Sequence, residues 1–239
     1  MINKGEVLVV VPAFNEEVTI DSVIRDLQKC GYPFVVIDDG SVDNTAVIAG
    51  KSGARVISLP LHTGVGGALR CGFRYACELG FKAVIQCDAD GQHSSFYFDD
   101  LVETVNRTGA DMVIGSRFKS SQSTMTLSPA RRLVMWVLAR IAGQATKHPI
   151  TDATSGFRII TQPLLKEFAR SFPVYYLGDT FEAIVVAGRA NYKVEEIGVG
   201  MTPRSAGTSS VTNTRAVMLI AKALVTTALG LHFRIKRRS

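Results

Sequence analysis

A chain of 239 residues with 46% apolar and 20% charged side chains is an ordinary globular composition, long enough to bury roughly 70–75% of the surface its unfolded form exposes. Collagen-like, disordered and disulfide-stapled classes are excluded, because 21 glycines and 8 prolines are unremarkable counts and the four cysteines at 30, 71, 77 and 87 show no CxxC spacing. The net charge of +6 is uneven: Arg234, Lys236, Arg237 and Arg238 crowd the last six residues. From Met112 to Thr151, Arg117, Lys119, Arg131, Arg132, Arg140 and Lys147 face no Asp or Glu at all. Such local basic patches suit phosphates. No nucleic-acid partner is expected, since no helix-turn-helix, zinc-finger or aromatic RNP pattern accompanies them.

In chain order, β-branched runs at Val7–Val11, Phe34–Ile37, Arg55–Leu59, Ala83–Cys87 and Asp111–Ile114 alternate with helix-length amphipathic segments near 17–30, 44–52, 66–79 and 95–107. This βαβα order predicts an α/β fold, a mostly parallel sheet flanked by helices, with function gathered after the strands. Beyond residue 116 the rhythm breaks. A polar loop (Ser120 to Ser128) leads to a helix from Pro129 to about Gln144, a short mixed region and a last helix near 213–233. The expected division is a catalytic domain over 1–210 and a C-terminal amphipathic helix with a basic tail over 211–239.

Three strand ends carry polar clusters: Pro12-Ala13-Phe14-Asn15-Glu16-Glu17, Asp38-Asp39-Gly40-Ser41 and Asp88-Ala89-Asp90-Gly91-Gln92-His93. Helix capping is a sufficient account of Asn15 and of Asp43 with Thr45. It does not account for Asp88 and Asp90, which at i and i+2 of an extended segment project to one face about 7 Å apart at Cα. A hard cation, Mg²⁺ or Mn²⁺, relieves their repulsion and accepts oxygen ligands, with Gln92 able to add its carbonyl. Asp38 and Asp39 point oppositely and cannot chelate together; Asp39 is the expected contact for a nucleobase edge or ribose and Asp38 the structural one. Gly64-Val65-Gly66-Gly67 is read as a tight strand-to-helix turn, because Leu69 stands where a dinucleotide loop needs its third glycine or alanine. Gly50-Lys51-Ser52 is read as a helix exit.

Taken with Gly115-Ser116-Arg117, with Asp152 and Ser155-Gly156-Phe157-Arg158, and with Arg204-Ser205-Ala206-Gly207-Thr208-Ser209, these clusters resemble in order and spacing the inverting family 2 glycosyltransferases of GT-A fold. Within that family the resemblance is to the dolichol- or polyprenyl-phosphate sugar synthases. It implies a nucleotide pocket lined by Pro12, Ala13, Asn15, Glu16, Asp39 and Asp88. It also implies a metal on Asp88, Asp90 and Gln92, and acceptor-phosphate contacts from Arg117, Arg131, Arg158 and Arg204. Asp88, Asp90, Asp152 and Arg117 are the expected catalytic set. His62-Thr63 departs from the Asn or Lys that the family often carries near this turn.

The implied reaction moves a hexose from a UDP- or GDP-sugar to a polyprenyl phosphate. A phosphate monoester, with a second pKa around 6, is largely dianionic near neutral pH and needs orienting arginines more than a base. Asp152 is the best base or orienter, Glu182 a weaker one. The alternatives are a family 2 enzyme acting on a glycan hydroxyl and a silent sugar-nucleotide-binding or membrane-adaptor protein. No stretch is long enough to span a bilayer and no secretory leader is read, so a cytoplasmic protein peripheral to the inner membrane face is expected. Four tail charges give at most ~4 kcal/mol, only about millimolar binding. Insertion of the last helix or of Leu133–Leu138 is therefore expected to assist, and the last helix is also a candidate homo-oligomer contact.

Overall fold

The computed structural model describes residues 1–92, 94–119, 129–172, 180–200 and 235–238. Strand β1 (Val7–Ala13) is buried along its whole length, which fits an apolar run covered on both faces. Helix α1 (Ile20–Cys30) buries Ile20, Val23, Ile24 and Leu27, a helical stripe. It starts later than its pattern suggests because the Glu16 carbonyl accepts the Thr19 and Ile20 N–H groups and winds 16–19 into a turn. There follow β2 (Phe34–Asp38), α2 (Thr45–Lys51), β3 (Arg55–Ser58), α3 (Val65–Glu78) and β4 (Ala83–Gln86). A 3-10 turn at Ser95–Tyr97 precedes α4 (Phe98–Thr108), β5 (Met112–Ser116) and α5 (Pro129–Thr146). Gly64 opens α3 and Lys51 ends α2, as the turn and exit readings require.

The stretch read as short and mixed holds four regular elements: β6 (Arg158–Thr161), α6 (Leu164–Ser171), α7 (Phe181–Arg189) and β7 (Val194–Gly198). Each strand is only four or five residues long, too short for its period to show in the sequence. The seven-stranded sheet runs β3-β2-β1-β4-β6-β5-β7. All pairings are parallel except those of β6, which lies antiparallel to β4 and to β5. Reversal of β6 brings its first residue, Arg158, opposite Gln86 at the end of β4 and Ile114 of β5. The loop before β6 thus joins the same rim as the parallel strands' C-terminal ends.

Two cores cover the sheet, and neighbouring strand residues alternate between them. Val7, Val9 and Val11 join Ile24, Leu101 and Phe98 on one face. Leu8 and Val10 join Leu69, Phe73, Leu138, Phe168 and Ile184 on the other. Among the described residues no helix is long and apolar enough to cross a membrane. The boundary expected at 210 and 211, and the helix near 213–233, lie outside the described residues.

Candidate active site

The first corner of the rim is built by β1 and β2. Pro12 and Ala13 lie beside Ile37 and Asp38 in register, and the Asp39 N–H donates to the Ala13 carbonyl at 2.9 Å. The loops after these strands are laced together. Asn15, at the left-handed φ of 54°, donates its N–H to Ser41 Oγ and accepts from Val42 N with its own side chain. The Glu16 N–H donates to Thr45 Oγ1, and the Glu17 N–H to Asp43 Oδ2. Burial works to raise the Asp43 pKa, but the hydroxyl and N–H of Thr45 and the N–H of Glu17 outweigh it and hold the carboxyl below its usual value. Asp43, one residue before the Asn44 cap of α2, therefore holds Thr45 at the start of that helix and ties the two loops; Asn15 ties them without capping α1.

Asp39 is 2% exposed. Its Oδ1 accepts from Thr63 N at 2.8 Å and Thr63 Oγ1 at 2.7 Å, and its Oδ2 accepts from Gly64 N at 2.7 Å and lies 2.9 Å from His62 Nδ1. Gly40, at φ 71°, leaves no room for a side chain, since a Cβ would sit 3.0 Å from the His62 nitrogen. The His62 ring stacks on Phe14 with centroids 3.8 Å apart. Asp38 accepts the Ser41 N–H. Both carboxylates thus hold loops, and Asp39 fixes the turn that carries His62.

The second corner follows β4. Ala89 is 2% exposed while Asp88 and Asp90 on either side are partly exposed; β4 ends at Gln86 and Ala89 and Asp90 lie in a turn, not on the extended segment expected of them. Asp90 Oδ1 accepts the Gln92 N–H at 3.0 Å. A Cβ on Gly156 would stand 3.1 Å from Asp88 Oδ2 and 3.1 Å from Gln86 Nε2, so the loop before β6 packs closely on this carboxylate. Two partly exposed carboxylates with an amide beside them form a hard oxygen donor set that fits Mg²⁺ or Mn²⁺. Among the described residues no group of three or more His, Cys, Asp or Glu is placed to hold a metal ion.

The third corner joins β5 to the loop before β6. Asp152 is fully buried. Arg117 forks onto it, Nε to Oδ2 at 2.7 Å and Nη2 to Oδ1 at 2.8 Å, with a further bond from Nη2 to Thr154 Oγ1 at 2.8 Å. Burial opposes the guanidinium's charge, but the hydrogen bonds and charge of Asp152, with Asp88 adding, push the Arg117 pKa up. Asp152 is itself anchored: its N–H donates to Glu196 Oε1 at 2.8 Å, and Thr151 donates its N–H and hydroxyl to the same carboxylate. This is the geometry of an orienting group.

Arg158, expected at the acceptor phosphate, lies inside the fold. It is fully buried, and its guanidinium donates to the backbone carbonyls of Ser155 and Thr180. The reversed strand that begins at Arg158 points it into the fold, where it braces the loop carrying Asp152 and Gly156. Arg131 falls in the first turn of α5, Glu182 in the first turn of α7, and His93 and Arg204 outside the described residues. Glu196 and the Phe14–His62 pair were not anticipated. Glu195-Glu196 between Val194 and Ile197 was the available signal, because a carboxylate that a strand buries needs partners.

Comparison with known proteins identifies the family and the fold. The family described as Glycosyl transferase family 2 matches residues 8–168. The UDP-N-acetylglucosamine–dolichyl-phosphate N-acetylglucosaminyltransferase of Methanococcus voltae is 26% identical over 80% of this chain and 83% of its own. The polyprenol monophosphomannose synthase of Mycolicibacterium smegmatis is 28% identical over 85% and 80%. In fold, the chain superposes on glucosyl-3-phosphoglycerate synthase from Mycobacterium tuberculosis, solved with Mn²⁺, UDP and phosphoglyceric acid, with a TM-score of 0.66 at 22% identity over 92% of this chain and 77% of that one. With its seven-stranded α/β sheet and the rim just described, the chain belongs to glycosyltransferase family 2.

Proposed function

We propose that the protein transfers a hexose, with inversion and with Mg²⁺ or Mn²⁺, from a nucleotide sugar to a polyprenyl phosphate at the cytoplasmic face of a membrane. The observation that carries this reading is the fork of Arg117 on buried Asp152, with Asp88 near enough for its charge to act on Arg117. The fork holds the Arg117 guanidinium, 21% exposed, at the rim, where a planar donor group suits a phosphate acceptor. The polyprenyl- and dolichyl-phosphate relatives support the same acceptor class.

In this mechanism the laced loops at Pro12, Ala13, Asn15 and Glu16, with the turn fixed by Asp39, bind and orient the nucleotide. Asp88, Asp90 and Gln92 would hold the cation, which supplies Lewis-acid stabilisation of the departing diphosphate. Arg117, held by Asp152 and Thr154, aligns the acceptor phosphate, and Arg131 and Arg204 are the proposed further contacts. The acceptor oxygen attacks the anomeric carbon from the face opposite the leaving group.

The test is a panel of UDP- and GDP-sugars with Mg²⁺ or Mn²⁺ and a short polyprenyl phosphate, scored for nucleoside diphosphate and for labelled lipid. Asp90→Ala is expected to lose at least about 10³-fold in kcat, several kcal/mol of transition-state stabilisation. Unchanged turnover in that variant and in EDTA would remove the mechanism; transfer to a glycan hydroxyl alone would replace the acceptor.

A further inference from the structure

Helix α5 packs Val134, Leu138 and Ala142 into the core at four-residue spacing, with exposures of 8%, 1% and 0%. Its outer side carries two large apolar residues, Leu133 at 60% and Trp136 at 61% exposure, and exposed Arg132 and Arg140 flank them one turn away. No carboxylate occurs from Met112 to Thr151, and no ion pair among the described residues takes up Arg132 or Arg140. A Trp and a Leu at the water boundary, bracketed by unopposed arginines, is the pattern of a helix lying in a headgroup layer.

The same helix also touches the candidate site: Thr154, which bonds Arg117, donates its hydroxyl to Met135 Sδ at 3.7 Å. Met135 adjoins Trp136 in the chain, so the exposed face and the contact to the site share one helix.

We infer that the α5 face formed by Arg132, Leu133, Trp136 and Arg140 docks on an anionic lipid bilayer. The inference rests on the lipid-phosphate reading of the acceptor only for its purpose, since the docking itself is measured with no acceptor present. It assigns the contact to α5 and not to the chain's C-terminal tail. Charge complementarity selects the partner: the arginines take lipid phosphates while the indole and the leucine enter the acyl boundary.

Trp136 is the sole tryptophan of the chain, so the full-length protein reports its own docking. Equal-part phosphatidylcholine–phosphatidylglycerol vesicles are expected to shift Trp136 emission to the blue, and acyl-brominated lipids to quench it, with the effect falling as salt is raised. Leu133→Ala is expected to weaken vesicle affinity about tenfold, and Arg132→Gln and Arg140→Gln about fivefold each. Vesicle binding without any change in Trp136 emission would overturn the inference, as would no vesicle binding. A protein-concentration-dependent blue shift without lipid would assign the face to a second copy and overturn it equally. Transfer to a detergent-dispersed short polyprenyl phosphate separates the two readings: its absence with docking intact sinks the proposed function, and its presence without docking sinks this inference.

Discussion

Two regions contribute most of the unbalanced positive charge, and the fold treats them in opposite ways. Along α5, Arg132 and Arg140 stand exposed on a face with no acidic residue near them in sequence. At the chain's end, Ile235 packs against a core cluster, the Lys236 N–H donates to Glu167 Oε2 at 3.1 Å, the Arg238 N–H donates to the Ala190 carbonyl at 2.9 Å, and the Arg238 guanidinium pairs with Asp111. Asp111 is 1% exposed and precedes β5, at the end of the sheet away from the catalytic rim. The expectation of four tail charges drawn to a membrane therefore loses at least Arg238, whose charge already has a buried counter-ion. A basic run in a sequence is an outward-facing field only where the fold supplies no carboxylate beneath it.

This contrast can be broken by experiment. The largest expected effect is on the pair Arg132→Glu with Arg140→Glu, which changes the local charge by four units and is expected to reduce affinity for anionic vesicles by about 10³-fold, with the unfolding midpoint unchanged. Next is Gly188→Ala in α7, where a Cβ would lie 2.6 Å from the Ala145 carbonyl of α5. Forcing the two helices apart is expected to cost about 3 kcal/mol in urea unfolding. A smaller change is expected for Arg238→Ala, about 1 kcal/mol of stability because that side chain is 39% exposed, with vesicle affinity altered less than about twofold.

The finest test is the pH dependence of that last variant. Burial holds the Asp111 pKa above its ordinary value, although the Lys193 N–H and the charges of Arg238 and Lys193 pull it down. A carboxyl whose folded pKa lies above its unfolded one binds more protons when folded, so its contribution to stability grows as pH falls through the folded value. Arg238→Ala removes one of the interactions favouring the ionised form. Its stability deficit is expected to be greatest near neutral pH and to shrink on acidification, as followed by urea unfolding across the series; a deficit independent of pH would show that the pair contributes by packing alone.

The half of the rim that follows β1, β2 and β4 is legible in the sequence because its residues follow long strand and helix patterns: Asn15, Asp39, Asp88 and Asp90 each stand just past an apolar run. The other half is not. Arg117 and Asp152 meet only because β6 enters the sheet backwards between β4 and β5, and a four-residue strand carries no sign of its direction. The same reversal explains Arg158, which reads as one more surface cation until its strand is seen to lead inward. Glu196 was missed for a related reason: a carboxylate inside an apolar strand signals burial with partners, but only the fold shows that those partners are Thr151 and Asp152.

The placement of β6 also bears on how the chain is made. Strand β4 finds its neighbour β1 early, but its other side waits for a strand that emerges some seventy residues later, after α4, β5 and α5. Until then a nascent or truncated polypeptide presents an unpaired apolar border at Ala83–Gln86, a template for adhesion between molecules. Fragments ending before Arg158 are thus expected to cluster, and a shortened expression product that stays monodisperse must extend through Thr161.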